Sequence, residues 1–120
     1  MTPIEIELFV LIAREEARLN ALPPRDWPPT KEQINDSIAR RHLVAGYGVR
    51  VSGDWIGTDC ASRQSRNRAL KLLELRGFVK RRAVYGGEKF THVALTTLGE
   101  RLAIENGLLP KHEEAKPCPK

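Results

Sequence analysis

Little in the sequence is suited to holding a metal or bracing the chain covalently. Its two cysteines, Cys60 and Cys118, do not make a disulfide framework and read as free thiols of a reducing compartment. The three histidines, His42, His92 and His112, add no C-x-x-C or H-x-x-x-H spacing, so no metal is expected. Long apolar runs are missing as well. The longest cluster, IELFVLIA, sits among Glu5, Glu7, Arg14, Glu15 and Glu16 and falls well short of the ~18–20 residues that span a bilayer. The first residues carry neither a basic n-region nor a small-residue cleavage site, so the expected location is cytoplasmic. Catalytic orderings are lacking too. No Ser/His/Asp or Cys/His arrangement stands out, and YGGEKF does not have the spacing of a phosphate-binding loop. Glu100 and Glu105 fall on an amphipathic helix rather than forming a carboxylate pair. The expectation is a protein that is not an enzyme and uses no cofactor.

What the chain does have is an uneven charge. Its 120 residues, 41% apolar and 29% charged, suffice for one globular domain with one core. Residues 1–57 hold seven Lys/Arg against eight Asp/Glu, and residues 93–120 hold four against four. Residues 58–92 hold nine against three, so the positive excess falls in one stretch. A concentrated basic region is the electrostatic footprint of a nucleic-acid binder, and it also describes the solvated side of an ordinary helix.

Periodicity divides the chain into an α+β, mainly α, domain over residues 1–109 and a flexible tail over 110–120. Thr2-Pro3-Ile4-Glu5 reads as a capping box with proline at the first helical position, opening a helix over about residues 2–20. Ile4, Leu8, Leu11, Ile12 and Leu19 form its buried face. Ile6, Phe9 and Val10 widen that face, which suits either wrapping by the rest of the domain or contact with a second copy. Four prolines make residues 22–29 a stiff connector, and Trp27 is available to pin it to the core. A second capping box, Thr30 with Gln33, opens a helix over about 30–42 that buries Ile34, Ile38 and Leu43.

Glycines at 46, 48, 53 and 57 argue against helix over 44–57, where YGVRV alternates like a strand and Trp55 and Ile56 return the chain to the core. The next helix spans about 60–76, from a cap at Thr58 or Asp59 to a stop at Gly77. Ala69, Leu70, Leu73 and Phe78 make its inward stripe, widened by Leu72 and Leu75; Arg63, Gln64, Asn67, Arg68 and Lys71 lie opposite. Two β-rich runs flank Gly86-Gly87 as a hairpin over about 78–95. Thr96 or Thr97 caps a last helix over about 97–106, with Leu98, Leu102 and Ile104 facing inward.

The order helix, helix, helix, two-stranded hairpin, helix resembles a winged helix-turn-helix domain. SRQSRNRALKLLELRGFV resembles the recognition helix of bacterial winged-helix regulators. Ser62-Arg63 match the family's Ser-Arg opening, Arg68-Ala69-Leu70 its Arg-Ala-Leu, and Gly77-Phe78-Val79 its glycine with two apolar residues. VALTTLGERL is similar to the V-x-L-T-x-x-G-x-x-L signature that closes the wing in MarR- and PadR-like regulators, and TKEQINDSI resembles the start of the preceding helix. The resemblance covers residues 62–104 and is thin before residue 58. It has two departures. Arg66 stands where the family carries an apolar valine, on or near the core face, so it either snorkels outward or turns toward a partner. A Gly-rich insertion over 44–57 stands where the family has a tight turn.

The resemblance implies a three-helix core, a two-stranded wing, a C-terminal helix and binding to double-stranded DNA by a small transcriptional regulator, nucleoid-associated within the cytoplasm. It assigns base contacts in the major groove to Arg63, Gln64, Asn67 and Arg68, because guanidinium forks match guanine and side-chain amides match adenine. Backbone contacts go to Ser62, Ser65, Arg66 and Lys71 on the helix, and to Lys80, Arg81, Arg82 and Lys89 on the wing, with Tyr85 and His92 as further wing residues. A homodimer formed through the first helix would read two half-sites. Two other readings stay open. One is a winged-helix protein-interaction or assembly module; the other is a DNA-binding part of phage or plasmid replication or excision.

Overall fold

The computed structural model describes residues 1–51, 53–56, 60–84 and 89–110. Helix α1 (Pro3–Asn20) is followed by α2 (Lys31–Val44), strand β1 (Val49–Arg50) and the one-turn helix α3 (Gly53–Ile56). Then come α4 (Cys60–Leu75), strands β2 (Val79–Arg82) and β3 (His92–Leu95), and α5 (Thr97–Glu105). The result is an α+β fold, mainly helical, with an antiparallel sheet of order β1-β3-β2. In register, Val49 faces Val93, and Val79 to Arg82 face Leu95 to His92. No described helix is long and apolar enough to cross a membrane.

Both expected capping boxes form. The Thr2 hydroxyl accepts from the Glu5 N–H at 3.3 Å while the Glu5 carboxylate accepts from the Thr2 N–H, and Thr30 and Gln33 do the same for α2. The core is the inward face of α1 (Leu8, Phe9, Ile12, Ala13, Leu19) set against Ala69, Leu70 and Leu73 of α4. Val49, Val79 and Val93 of the sheet close it from one side, and Ala103 of α5 joins them. The rings of Phe9 and Phe78 meet edge to face at 6.1 Å.

Several expected contacts are different in the structure. Helix α2 has no buried residue: Ile34 and Ile38 are 45% and 43% exposed, while Ala39 and the expected Leu43 pack against the core. At the exposed edge of this contact the Arg18 guanidinium of α1 donates two 3.1 Å bonds to Asp36. The docked stripe then runs Asp36, Ala39, Leu43, and the helical period puts Ile34 and Ile38 off it. Trp27 does not pin the connector to the core; it is 93% exposed. Ile4 and Ile6 stay exposed on the first turn of α1, which leans on the core through Phe9 instead. Leu75, at the last turn of α4, is exposed rather than part of the stripe. On α5 the inward residues are Gly99 and Ala103, with Leu102 and Ile104 half-buried and Leu98 exposed.

The 44–57 stretch contributes a two-residue strand paired with β3, then a helical turn despite its glycines. Trp55 packs against the core from that turn. The Ile56 side chain, the cap at Thr58 or Asp59, Tyr85, the Gly86-Gly87 turn and residues 111–120 lie outside the described residues.

His92 is not a wing residue open to a ligand. It is buried, its ring 4.9 Å from His42 of α2 and its Nδ1 2.8 Å from the Thr91 hydroxyl. Burial pushes its pKa below the usual 6.5, and the neighbouring His42 and Arg50 add to the effect. The folded state therefore disfavours protonated His92, whereas the unfolded chain takes up the proton near pH 6.5. His92 thus makes stability fall as pH drops through 6.5. Glu16 titrates with the opposite sign, so the effect is isolated in a Glu16→Gln background. There the thermal midpoint should be lower at pH 5 than at pH 7; a midpoint that rises on acidification would contradict this placement.

Candidate nucleic-acid interface

Helix α4 divides cleanly into two sides. Ala69, Leu70 and Leu73 are buried against α1, while Arg63, Gln64, Ser65, Asn67, Arg68 and Lys71 are exposed and Ser62 is half-buried. The spacing 63-67-71 and 64-68 places the five long polar side chains on one outward surface. Among the described residues, Arg63, Arg68 and Lys71 form no ion pair. Among the described residues the surface therefore presents its charge outward.

The end of α4 is fixed by two devices. Gly77 takes a positive φ of 86°, its N–H donating to the Glu74 carbonyl at 3.0 Å and that of Phe78 to the Leu73 carbonyl at 3.1 Å. This is a Schellman stop, which satisfies carbonyls the helix would otherwise leave open. Arg76 then donates at 2.7 Å to Glu5, a carboxylate without solvent exposure on α1. The Arg76 guanidinium holds the Glu5 carboxyl down to about 2, against the opposing effect of burial. Sequence reasoning missed Glu5 in this role, because the capping box had already accounted for it.

Arg66, set by sequence among the backbone-contacting residues, is engaged internally. It lies one turn before Ala69 and Leu70 on the inward side and reaches the rim of the core. There its Nη1 donates to the Trp55 carbonyl at 2.9 Å and pairs with Glu7 at 2.7 Å. The guanidinium thus ties α4 to α3 and to α1. Arg66→Met should lower stability by about 1–2 kcal/mol, chiefly by removing the bond to the Trp55 carbonyl, since the half-exposed Glu7 contributes little. Denaturant midpoints measure that decrease. An unchanged midpoint would contradict the structural role.

Strands β2 and β3 show a similar split. Arg81 shares the inner face with Val79 and is held by Glu74 of α4, which accepts from its Nε at 2.8 Å and from its backbone N–H at 3.1 Å. Burial of Glu74 opposes ionisation, but these Arg81 bonds outweigh it and hold the carboxyl below its usual range. The Arg81 guanidinium also sits 5.2 Å from the centre of the Phe90 ring. Arg82 is half-buried, its Nε out of solvent with no hydrogen-bond partner among the described residues. Lys80 on β2 and Lys89 ahead of β3 are exposed.

The LTTLG segment locks the end of β3 to the turn that follows α4. The Thr96 N–H donates to the Phe78 carbonyl at 3.1 Å, its hydroxyl donates to the Gly77 carbonyl, and that same oxygen accepts the Gly99 N–H at 3.1 Å. One residue thereby caps α5 and holds the turn that ends α4. Of the sequence-assigned contacts, Arg63, Gln64, Ser65, Asn67, Arg68, Lys71, Lys80 and Lys89 are exposed, Ser62 and Arg82 are half-buried, and Arg66 and Arg81 are occupied inside the protein. Against protein-family models, curated proteins and solved structures, the chain shows no significant match.

Proposed function

We propose that the protein is a winged helix-turn-helix domain that binds double-stranded DNA sequence-specifically, as a small transcriptional regulator. The observation that carries this reading is the outward face of α4. It presents two arginines, a lysine and two side-chain amides on a helix anchored from behind by Ala69, Leu70 and Leu73. Such a face matches what a major groove offers: guanidinium forks for guanine and amides for adenine. The connectivity supports it as well. A strand precedes the α3–α4 pair and lies beside β3 in the sheet order β1-β3-β2, an arrangement compatible with a winged helix in which α3, rather than the α2 that carries TKEQINDSI, comes just before α4.

In this reading Arg63, Gln64, Asn67 and Arg68 read bases, while Lys71, Lys80 and Lys89 lie over phosphates with Ser62 and Ser65 at the helix start. Arg66 and Arg81 are positioning residues: one sets α4 against α3, the other sets the wing against α4. A second copy pairing through the exposed Ile4 and Ile6 would present two recognition helices to two half-sites.

A second reading, a protein-interaction module, is favoured by a separate observation. Trp27, Ile34, Ile38 and Val44 leave apolar side chains exposed on α2 and the connector. Selection from random duplex DNA at two salt concentrations separates the two. Enrichment of one sequence, with affinity falling steeply as salt rises, supports DNA reading, and a palindrome supports the dimer. Absence of measurable affinity at low salt would contradict it.

A further inference from the structure

A carboxylate outside the basic surface has no use in DNA binding. Glu16 of α1 is 8% exposed, has no hydrogen-bond or ion-pair partner among the described residues, and lines a cavity of about 230 Å³. Glu100 of α5 lines the same cavity, so two acidic side chains share one small space. Asn20 adds a third polar group, and Leu43, Ala94 and Leu95 supply apolar wall. An unpartnered buried carboxylate is costly, and the group normally responds by staying protonated. Burial, with the Glu100 charge adding to it, raises Glu16 to about 7. A bound cation would relieve both the burial and the like-charge repulsion.

We propose that this cavity is a binding site for a short aliphatic amine in its ammonium form. The volume is below the ~300–1,000 Å³ of sites for drug-sized ligands, which restricts the occupant to a few heavy atoms. Leu43 and Leu95 give a short methylene body a place within a lining that is otherwise largely polar. Two carboxylates and one amide also fall short of the six to eight oxygens a calcium ion takes. Among the described residues no group of three or more His, Cys, Asp or Glu side chains is gathered to hold a metal. The ammonium would sit between Glu16 and Glu100, with Asn20 as a further acceptor and the alkyl chain along Leu43 and Leu95. Ionisation of Glu16 is required, so affinity rises with pH and binding near neutrality releases a proton. The site shares no residue with the outward face of α4 or with Lys80 and Lys89, although Ala94 and Leu95 of β3 line it, so its test and the DNA test fail independently.

The test is an amide NMR titration with n-butylammonium chloride, with sodium chloride, n-butanol and magnesium chloride as comparisons. Shifts confined to Glu16, Asn20, Leu43 to Gly48, Ala94, Leu95 and Glu100 are expected for the amine alone. The affinity should be at least tenfold weaker at pH 5 than at pH 8, and at least tenfold weaker in Glu16→Gln. That variant removes a buried unpartnered charge, so its thermal midpoint at pH 8 should exceed the wild type's; a carboxylate without a ligand would show this gain alone. Glu100→Gln, at a more exposed position, gives a second loss of affinity that does not depend on the first variant. No localised shift by the amine, equal shifts with butanol or magnesium, or undiminished binding in both variants would overturn the proposal.

Discussion

Gly99→Ala should destabilise the protein by about 3 kcal/mol and lower its thermal midpoint by about 10 °C or more. A Cβ at Gly99 would lie 2.0 Å from the Phe78 carbonyl oxygen and 3.0 Å from its carbon, and both are backbone atoms. The carbonyl cannot easily retreat, because it accepts the Thr96 N–H, and Phe78 itself is tied to Leu73 through the stop of α4. Relief therefore requires α5 to lift from the α4–β2 turn, loosening Ala103 in the core and the Thr96 bonds together. The sign makes the test sharp. At an exposed helical position, alanine in place of glycine would stabilise by about 1 kcal/mol. A rise or no change in midpoint would show that α5 does not pack against Phe78 in this way.

Replacing Arg63 and Arg68 together by alanine should weaken binding to a selected duplex by about a hundredfold and flatten the preference among sequences, at about 1–3 kcal/mol for each bidentate base contact. Both side chains are exposed and unpaired by carboxylates among the described residues, so stability should barely move. Replacing Lys80 and Lys89 should act differently. Affinity should fall alike on every sequence, and the slope of log affinity against log salt should shrink by about one for each phosphate left without its lysine. Arg66→Met supplies the internal contrast: it costs stability yet leaves the salt slope at the wild-type value. If the Arg63/Arg68 pair changed neither affinity nor preference, α4 would not be the reading element.

Local signals in the sequence carried far. The Thr2–Glu5 and Thr30–Gln33 boxes marked two helix starts, Gly77 marked the end of α4, and the 69-70-73 stripe gave its buried side. What failed depended on partners distant in the chain. Ile34 and Ile38 look like a core stripe, but α2 packs through Ala39 and Leu43 and leaves both exposed. Trp27 looks like an anchor because it is large and apolar, yet nothing in the local sequence reveals whether a pocket awaits it. The α3 turn is too short, and begins at too permissive a residue, for periodicity to detect.

The candidate surface was legible for a simpler reason: a helical period sorts α4 into an apolar and a polar side without tertiary information. Arg66 was visible as a misfit, since a charge falls where the stripe calls for an apolar residue. Its resolution, an ion pair with Glu7 and a bond to the Trp55 carbonyl, required the fold. Strand β2 was sorted only in part. Alternation indicates that Lys80, Arg81 and Arg82 divide between faces, but the grip of Glu74 on Arg81 crosses from helix to strand.

The most direct measurement is an amide and side-chain NMR map of the protein titrated with a selected duplex. Shifts should concentrate at residues 62–68 and Lys71 of α4 and at Lys80 and Lys89 of the wing, with the Arg63 and Arg68 guanidinium signals moving most. A map centred on Trp27, Ile34 and Ile38, or one with no localised change, would contradict the assignment of α4 as the DNA-reading helix.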